Sequence, residues 1–263
     1  MTPLLRTRGL TRHYSGVVAV DGVDLDVAAG SIHAVIGPNG AGKTTLFNLL
    51  SGLVRPNAGT ILFDGADITT LPPDRRARLG IARTFQNIRI FGAMTVLENV
   101  LTGLCATGRS GLAGTVLRLG RFRREERDAV ARARDALALV GLSDKAEWRA
   151  AALSYGDQRR LEIARAAAAG PKLMLVDEPA AGMNPAETDG LVHLMQRLNA
   201  LGITILLVEH DMGLVMGIAH NITVLNFGRR IFGGSPDAVR QDPGVIEAYL
   251  GHKVAARLAA ARV

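Results

Sequence analysis

One stretch of the chain has the residues and the spacing of a phosphate-binding loop: Gly37, Pro38, Asn39, Gly40, Ala41, Gly42, Lys43, Thr44 and Thr45. It matches G-x-x-x-x-G-K-[ST] and lies between an apolar run at 32–36 and a largely apolar run at 46–50, the strand, loop and helix context that this pattern requires. The glycines let backbone N–H groups surround an anion, and the helix adds the positive end of its dipole. Lys43 then suits the β- and γ-phosphates of a nucleotide, and the Thr44 hydroxyl suits Mg²⁺.

Two further runs end in groups that can act on a bound phosphate. The apolar run 173–176 is followed by Asp177 and Glu178, as in a buried parallel strand that presents carboxylates at its carboxyl end. Asp177 can hold Mg²⁺ through its waters, and Glu178 can orient a water that attacks the γ-phosphate, or take its proton. The run 203–208 delivers His210 in the same way, and a histidine there can hydrogen-bond the γ-phosphate.

Four other residues can complete such a site, although each also has an ordinary structural interpretation. Gln86 follows a short predicted strand, and its amide either reaches Mg²⁺ or the attacking water or is a surface polar group. Ser154 and Gly156 precede an Ala-rich helix predicted at 159–169, where they form either a second anion site or a plain helix cap. Tyr14, upstream of the phosphate-binding loop, either stacks on a purine base or lies on the surface of a strand.

The elements that must position these residues indicate an α/β fold. Alternation of apolar and acidic residues at 23–27 predicts antiparallel strands within 4–30. A capping box at Thr95 and Glu98, and apolar periodicity at 123–140, predict helices inserted into the core.

We therefore predict an α/β P-loop NTPase (nucleoside triphosphatase) core with a mostly parallel sheet, an antiparallel β subdomain and an inserted helical subdomain. The predicted divisions are the antiparallel β and P-loop core at 1–91, the helical subdomain at about 92–165, the continued core at 166–251 and a C-terminal tail at 252–263.

The sequence argues against a disulfide-bonded, secreted or membrane-spanning protein. The 263 residues are 48% hydrophobic, which is enough for one α/β core with an attached subdomain. The net charge of +7 is compatible with a nucleic-acid surface or with solvated arginine faces, but aromatic residues make up 4% and no basic run alternates with them, which favours solvated arginine faces. The lone Cys105 excludes an internal disulfide and is expected in a packed helix.

The chain opens without the pattern of a signal peptide, so we expect a cytoplasmic location. The uncharged stretch 212–228 is too interrupted by polar residues to span a membrane.

Taken together, the motifs resemble those of the ATP-binding cassette (ABC) ATPases over nearly the whole chain. The matching segments are the loop at 37–45, Gln86, the signature segment 153–158, the carboxylate strand 173–178 and His210. The resemblance implies ATP and Mg²⁺ as cofactors and ATP hydrolysis as the activity. It also implies that Ser154 and Gly156 bind the γ-phosphate of ATP held by the other subunit of a head-to-tail dimer, and that Tyr14 stacks on adenine.

Within that family, the chain resembles the ATPase subunit of branched-chain amino-acid importers. The matching segments are Tyr155 in the signature, 83–86, 178–185, 209–212 and the ending 248–251. This resemblance implies a peripheral protein on the cytoplasmic face of the inner membrane, bound to transmembrane permease subunits and to a second ATPase subunit, either itself or a sister chain. An extracytoplasmic substrate-binding protein is implied indirectly, and no nucleic acid.

Two alternatives stay open from the sequence. The ATPase of lipopolysaccharide export has a similar size and C-terminal pattern, although Tyr155 and Asn184 argue against it. A soluble ABC protein that acts on nucleic acid or ribosomes would resemble two tandem cassettes or one cassette split by a coiled coil, whereas this chain has one P-loop and no sustained heptads. Tyr155, Asp157 and Asn184 depart from the usual family motifs, and their effect on hydrolysis is open, as is the cargo beyond the resemblance.

The segment 87–94 is unusually apolar for a loop. It contains Ile88, Ile90, Phe91 and Met94 between the strand that precedes Gln86 and the capping box at Thr95. Such side chains need a surface to pack against, and either the helical subdomain or a permease subunit can supply it. The resemblance implies that the segment after Gln86 contacts membrane subunits.

Overall fold

The computed structural model describes residues 2–104 and 120–250 of the chain. Cys105, the Gly-rich stretch 108–114 and the predicted tail at 252–263 lie outside the described residues.

The strands form two sheets with the predicted arrangement. They are β1 (Leu5–Tyr14), β2 (Val17–Val27), β3 (Ile32–Ile36), β4 (Ala58–Phe63), β5 (Ala66–Asp67), β6 (Ile81–Arg83), β7 (Leu173–Asp177), β8 (Thr204–Val208), β9 (Asn221–Asn226) and β10 (Arg229–Gly234). One sheet has the order β2-β1-β4-β5 and is antiparallel. The other has the order β10-β9-β3-β8-β7-β6, with parallel pairing except between β9 and β10. The predicted mostly parallel core and antiparallel β region are both confirmed.

The described helices lie mostly between strands of the parallel sheet, with three of them in succession between β6 and β7. They are α1 (Lys43–Leu50), α2 (Pro73–Arg78), α3 (Val96–Leu104), α4 (Gly120–Val140), α5 (Tyr155–Ala168), α6 (Pro185–Ala200), α7 (Met212–Ile218), α8 (Pro236–Gln241) and α9 (Pro243–Leu250). In the part of the chain that the structure describes, none of them is long and apolar enough to cross a membrane.

The antiparallel sheet follows the alternation in the sequence. Val23, Leu25 and Val27 are buried, whereas Asp24 and Asp26 are exposed. In contrast, all the residues of β3, β7 and β8 are buried, as expected for the centre of a parallel sheet covered on both faces. The carboxyl ends of these three strands meet at one edge of the sheet, and that edge carries the predicted chemistry.

Helices α3, α4 and α5 share one buried apolar cluster that continues into the sheet. It includes Val96 and Val100 of α3, Ala133 and Leu137 of α4 and Leu161 of α5. The predicted capping box begins α3: the Thr95 N–H donates to Glu98 at 2.7 Å, and the Glu98 N–H donates to the Thr95 hydroxyl at 3.1 Å.

Two predicted boundaries were wrong. Helix α5 begins at Tyr155 rather than Arg159, because the Ser154 side chain already caps it by accepting from the Asp157 N–H. Strand β6 ends at Arg83 rather than continuing to Phe85, whose N–H and carbonyl bond to side chains of α5 instead of to a neighbouring strand.

Candidate functional site

The phosphate-binding loop borders a cavity of about 500 Å³ at the carboxyl edge of the parallel sheet. Its lining includes residues 39–45, Val17, Val18, Ala19, Gln86, Glu178 and Phe227. Gly37, Gly40 and Gly42 all have positive φ, the backbone freedom that lets such a loop curl around an anion. At Gly42 a side chain is also excluded, because a Cβ would lie 2.2 Å from the Ala19 carbonyl oxygen.

Lys43 lies at the centre of this loop. Its ammonium donates to the carbonyls of Gly37 at 2.7 Å and Pro38 at 2.9 Å, and its side chain is buried. Burial lowers the pKa of Lys43, and the nearby Glu178 and Asp177 carboxylates oppose that shift. The loop therefore holds a desolvated cation where a polyphosphate would replace the two carbonyls as its partner.

Glu178 lies where β7 ends, and its backbone leaves the strand conformation there. Its φ is 44°, in the left-handed region that non-glycine residues rarely adopt, while its N–H still donates to Val208 at 2.9 Å. The Glu178 side chain accepts from the Gln86 amide nitrogen at 2.8 Å and lies 4.0 Å from His210 Nδ1. The fold thus brings together Gln86, Glu178 and His210, which are distant in sequence.

Asp177, one residue earlier, is buried and differs from the prediction in having a protein partner. Its Oδ2 pairs with the Arg83 guanidinium at 3.1 Å, and Arg83 also donates to Asn48 and Ser51 of the loop–helix unit. Burial raises the pKa of Asp177, and Arg83 opposes this shift. Sequence reasoning missed Arg83 as a partner, because pairing across β6 and β7 depends on the strand order.

Glu209 is a second residue that sequence reasoning missed. It is fully buried, and it accepts from the backbone N–H groups of Ala180 at 2.9 Å and His210 at 3.0 Å. Burial raises the pKa of Glu209, and these backbone bonds oppose the shift. Glu209 therefore joins the loop after Glu178 to the segment that carries His210.

The predicted signature residues lie away from the cavity. Ser154 is exposed and caps α5, while Gly156 is buried in the first turn of that helix. A Cβ on Gly156 would lie 2.7 Å from the Glu187 carboxylate at the start of α6, so the two helix ends pack closely at this glycine. The structure thus gives Ser154 a capping role within this chain.

A buried ion pair connects this helix with Gln86. Arg159 is fully buried and pairs with Glu162 at 3.0 Å. Arg159 also donates at 2.7 Å to the carbonyls of both Phe85 and Gln86, and Glu162 accepts from the Phe85 N–H at 3.3 Å. Burial raises the pKa of Glu162, and Arg159 opposes the shift. One sequence signal could have identified this ion pair: two opposite charges spaced i,i+3 on the core-facing side of a predicted helix.

Tyr155 makes a second connection from the same helix. Its hydroxyl donates to the Ala181 carbonyl at 3.0 Å, in the loop that follows Glu178, and its ring lies 3.4 Å from the position a Cβ on Gly182 would take. Tyr155, which departs from the usual signature, thus contacts the loop that follows Glu178.

Tyr14 is not among the residues that line the cavity. It ends β1, pairs with Val17 across the β1–β2 hairpin, and is 39% exposed, with the Arg12 guanidinium 4.6 Å from its ring centre. Its neighbours Val17 and Val18 do line the cavity. The predicted aromatic is therefore at the rim of the site, with one ring face against Arg12.

The apolar loop 87–94 is partly packed on the helices and partly exposed. Ile90 packs against the cluster formed by the helices, whereas Phe91 and Met94 are 51% and 38% exposed. Phe91 borders a groove of about 410 Å³ between the end of β6 and helices α3 and α5, with Phe85, Arg89 and Arg165 also in its lining.

Two family models match the chain. An ABC transporter model matches residues 20–181, and a model described as branched-chain amino acid ATP-binding cassette transporter matches residues 229–255. Both agree with the resemblance that the motifs carry.

Curated relatives extend this similarity over most of the chain. The high-affinity branched-chain amino acid transport ATP-binding protein LivG of Escherichia coli (strain K12) is 46% identical over 250 residues, which cover 95% of this chain and 98% of LivG. The lipopolysaccharide export system ATP-binding protein LptB of Acidithiobacillus ferridurans is 36% identical over 251 residues, which cover 95% of this chain and 98% of LptB. The lower identity of the export protein disfavours the first alternative.

Solved structures share the fold. The ADP conformation of MJ1267, an ATP-binding cassette of an ABC transporter, matches with a TM-score of 0.83 and 34% identity, covering 96% of this chain and 100% of that chain. The dimeric structure of MJ0796, a bacterial ABC transporter cassette, matches with a TM-score of 0.75 and 25% identity, covering 88% of this chain and 98% of that one.

Proposed function

The chain belongs to the ABC transporter family, within its branched-chain amino acid branch. We propose a role in ATP hydrolysis for each of its site residues. The chain is the ATP-binding and ATP-hydrolysing subunit of a branched-chain amino acid importer. The observation that carries the residue assignments is the convergence of Lys43, Gln86 and Glu178 on one cavity.

ATP binds with its phosphates in the loop at 37–45. Lys43 exchanges its bonds to loop carbonyls for the β- and γ-phosphates, and its charge stabilises the transferred group. Mg²⁺ suits the hard oxygens of Thr44, Asp177 and the Gln86 amide, two of which belong to residues that line the cavity. When bound, this ion neutralises charge on the phosphate oxygens.

Glu178 orients the attacking water and accepts its proton. The Gln86 amide holds the Glu178 carboxylate at 2.8 Å, and His210 stands beside it, placed to hydrogen-bond the γ-phosphate. Tyr14 stacks on adenine at the rim. Ser154 and Gly156 serve a second subunit in trans, because Ser154 is exposed at the helix N-terminus and neither residue lines the cavity of its own chain.

The chain docks on transmembrane permease subunits at the cytoplasmic side of the membrane, and a substrate-binding protein delivers the amino acid to the permease from the other side. The groove beside Phe91 is the docking surface, with residues about 92–165 acting as a helical subdomain. Gln86 lies at the start of the same loop, so movement of Gln86 towards a bound nucleotide shifts the permease contact.

Deleting the gene and measuring uptake of labelled leucine tests the transport function. Uptake should fall in the deletion strain and return with the wild-type gene but not with Lys43→Ala. Unchanged uptake, with no redundant importer present, would contradict the assignment of cargo while leaving ATP hydrolysis to be measured on the purified chain.

Phe91→Asp tests the docking surface. A charge on this exposed ring position should abolish uptake while the basal ATPase activity of the purified chain is kept, because Phe91 lies outside the nucleotide cavity. Leu201→Asp is the matched control, since Leu201 is 67% exposed at the far end of α6. Equal loss of uptake in both variants would argue against a specific docking role for Phe91.

A further inference from the structure

Two hairpins of this protein close with the same backbone turn but with different residues. Asp64–Gly65 joins β4 to β5, and Phe227–Gly228 joins β9 to β10. The first residue has φ 50° in one turn and 46° in the other, and both glycines are near 80°. This pair of positive φ values is the requirement of a type I′ turn, which favours Asn or Asp at the first position. Asp64 satisfies that preference, whereas Phe227 opposes it.

The Phe227 turn is held against the phosphate-binding loop. The Gly228 N–H donates to the Ala41 carbonyl at 3.0 Å, and the Gly228 carbonyl accepts from the Asp21 N–H at 2.9 Å. Gly228 Cα also lies 3.4 Å from the position a Cβ on Gly42 would take. The turn is therefore a fixed wall of the nucleotide cavity.

The Phe227 side chain gains little from folding in this position. It is 85% exposed, so its ring is not buried in a core, and its backbone is in a conformation unfavourable to a large side chain. It nevertheless lines the cavity together with Val17 and Val18, which are 66% and 42% exposed. An exposed aromatic kept at a strained position beside a ligand cavity points to binding rather than to stability.

We propose that Phe227 contacts the base of the bound nucleotide and contributes to the preference for a nucleotide over a bare polyphosphate. The phosphates are matched by the N–H groups of the loop and by Lys43, and a phenyl ring offers them no donor. The planar base is the part of the ligand that an aromatic ring and two valines suit. This inference rests on the proposed ATP site and adds a residue from the far end of the chain to it.

Calorimetric binding of ADP and of pyrophosphate to the purified full chain tests the proposal. Phe227→Asn should weaken ADP binding about tenfold, within the range of one base–aromatic contact, and leave pyrophosphate binding unchanged. Phe227→Tyr should bind both ligands like the wild type. Because asparagine is favoured in this turn, the unliganded Phe227→Asn protein should melt at the same temperature as the wild type or higher.

Two controls separate the possible failures. Asp64→Phe places the same unfavourable residue in the matched turn, and it should lower the melting temperature without changing ADP affinity. Lys43→Ala should weaken both ligands, and if it weakens neither, the proposed ATP site fails as well. The base contact is overturned if Phe227→Asn binds ADP like the wild type, or if it loses ADP and pyrophosphate equally. A defect confined to ATP-driven dimerisation would also overturn it and assign the ring to the second subunit.

Discussion

The phosphate-binding loop and the signature turn, the two halves of the proposed ATP site, are built differently. The first lies on buried parallel strands, encloses a cavity and already holds Lys43 and Glu178 in hydrogen bonds. The second is a turn at the N-terminus of α5, where, among the described residues, the Ser154 side chain bonds its own helix. This contrast supports the proposal that the phosphate-binding half binds a nucleotide within a single chain, whereas the signature half acts on a nucleotide held by a second subunit.

The largest effect is expected in the phosphate-binding half. Glu178→Gln should keep nucleotide binding and lower turnover by roughly 10² to 10⁴, the range for a positioned proton acceptor. Glu147→Gln makes the same change at an exposed carboxylate and should be silent. The measurements are the ATPase rate and the ATP affinity of both variants. Wild-type turnover in Glu178→Gln would show that Glu178 does not accept the proton of the attacking water.

A change in the signature turn should impair ATP hydrolysis but not nucleotide binding by the same chain, because the turn acts on a nucleotide bound by the partner subunit. Ser154→Arg fills the exposed turn with bulk, so hydrolysis should be lost while ADP still binds to the intact loop. The control is Ser235→Arg, which removes another serine helix cap far from the signature and should keep hydrolysis.

Mixing the Ser154→Arg and Lys43→Ala variants tests whether the partner subunit is a second copy of this chain. If the chain pairs with itself, each mixed dimer has one intact composite site of two, and ATPase activity should reappear. Absence of activity at every mixing ratio, with both proteins folded, would favour a sister chain as the partner.

The buried Arg159–Glu162 pair connects the signature helix α5 to Phe85 and Gln86 beside the cavity. Arg159→Met should destabilise the protein by about 3–5 kcal/mol, because Glu162 is left as an unpaired buried charge. Arg160→Met, whose side chain is 34% exposed, is the matched control and should cost little. Denaturant unfolding of the two variants measures the difference.

A double variant separates stability from positioning. Arg159→Met with Glu162→Gln removes the buried charge and should recover much of the stability, but the carbonyls of Phe85 and Gln86 still lack their donor. Turnover should therefore stay reduced, by up to about 10²-fold for misplaced catalytic groups. Full recovery of turnover would show that the pair only stabilises the fold.

The smallest expected effect concerns the strand beneath the phosphate-binding loop. His33 of β3 is buried against Thr223 at 2.9 Å, and burial, with Arg230 nearby, lowers its pKa from 6.5 to about 4. The unfolded chain therefore binds a proton between these pH values that the folded chain does not. Stability should be full above pH 6.5 and fall by up to about 3 kcal/mol as the pH drops through 4.

His33→Gln should remove this part of the acid sensitivity. Denaturant unfolding between pH 4 and 7 measures it, and His193→Gln, at an exposed position of α6, should leave the pH dependence unchanged. Equal acid sensitivity in His33→Gln and the wild type would exclude His33 as its source.

Local patterns were sufficient for much of the fold. The alternation at 23–27, the continuous apolar runs of β3, β7 and β8, and the capping box at Thr95 each depend on neighbours in sequence, and all are present as predicted. The boundaries of β6 and α5 were missed because side chains from another element take over the backbone bonds there. The C-terminal hairpin and its turn were missed because Phe227 contradicts the turn chemistry that would have signalled them.

Short-range motifs predict which residues bind phosphate and act on water, since the loop at 37–45 and the carboxylates at 177 and 178 carry specific chemical groups wherever the fold places them. The partners of these residues depend on the tertiary fold. Arg83 meets Asp177 because β6 and β7 are adjacent, Arg159 meets Gln86 because α5 packs under that loop, and Phe227 reaches the cavity because β9 pairs with β3. Each of these contacts joins segments far apart in the chain, and such contacts depend on strand order and helix packing, which no local pattern encodes.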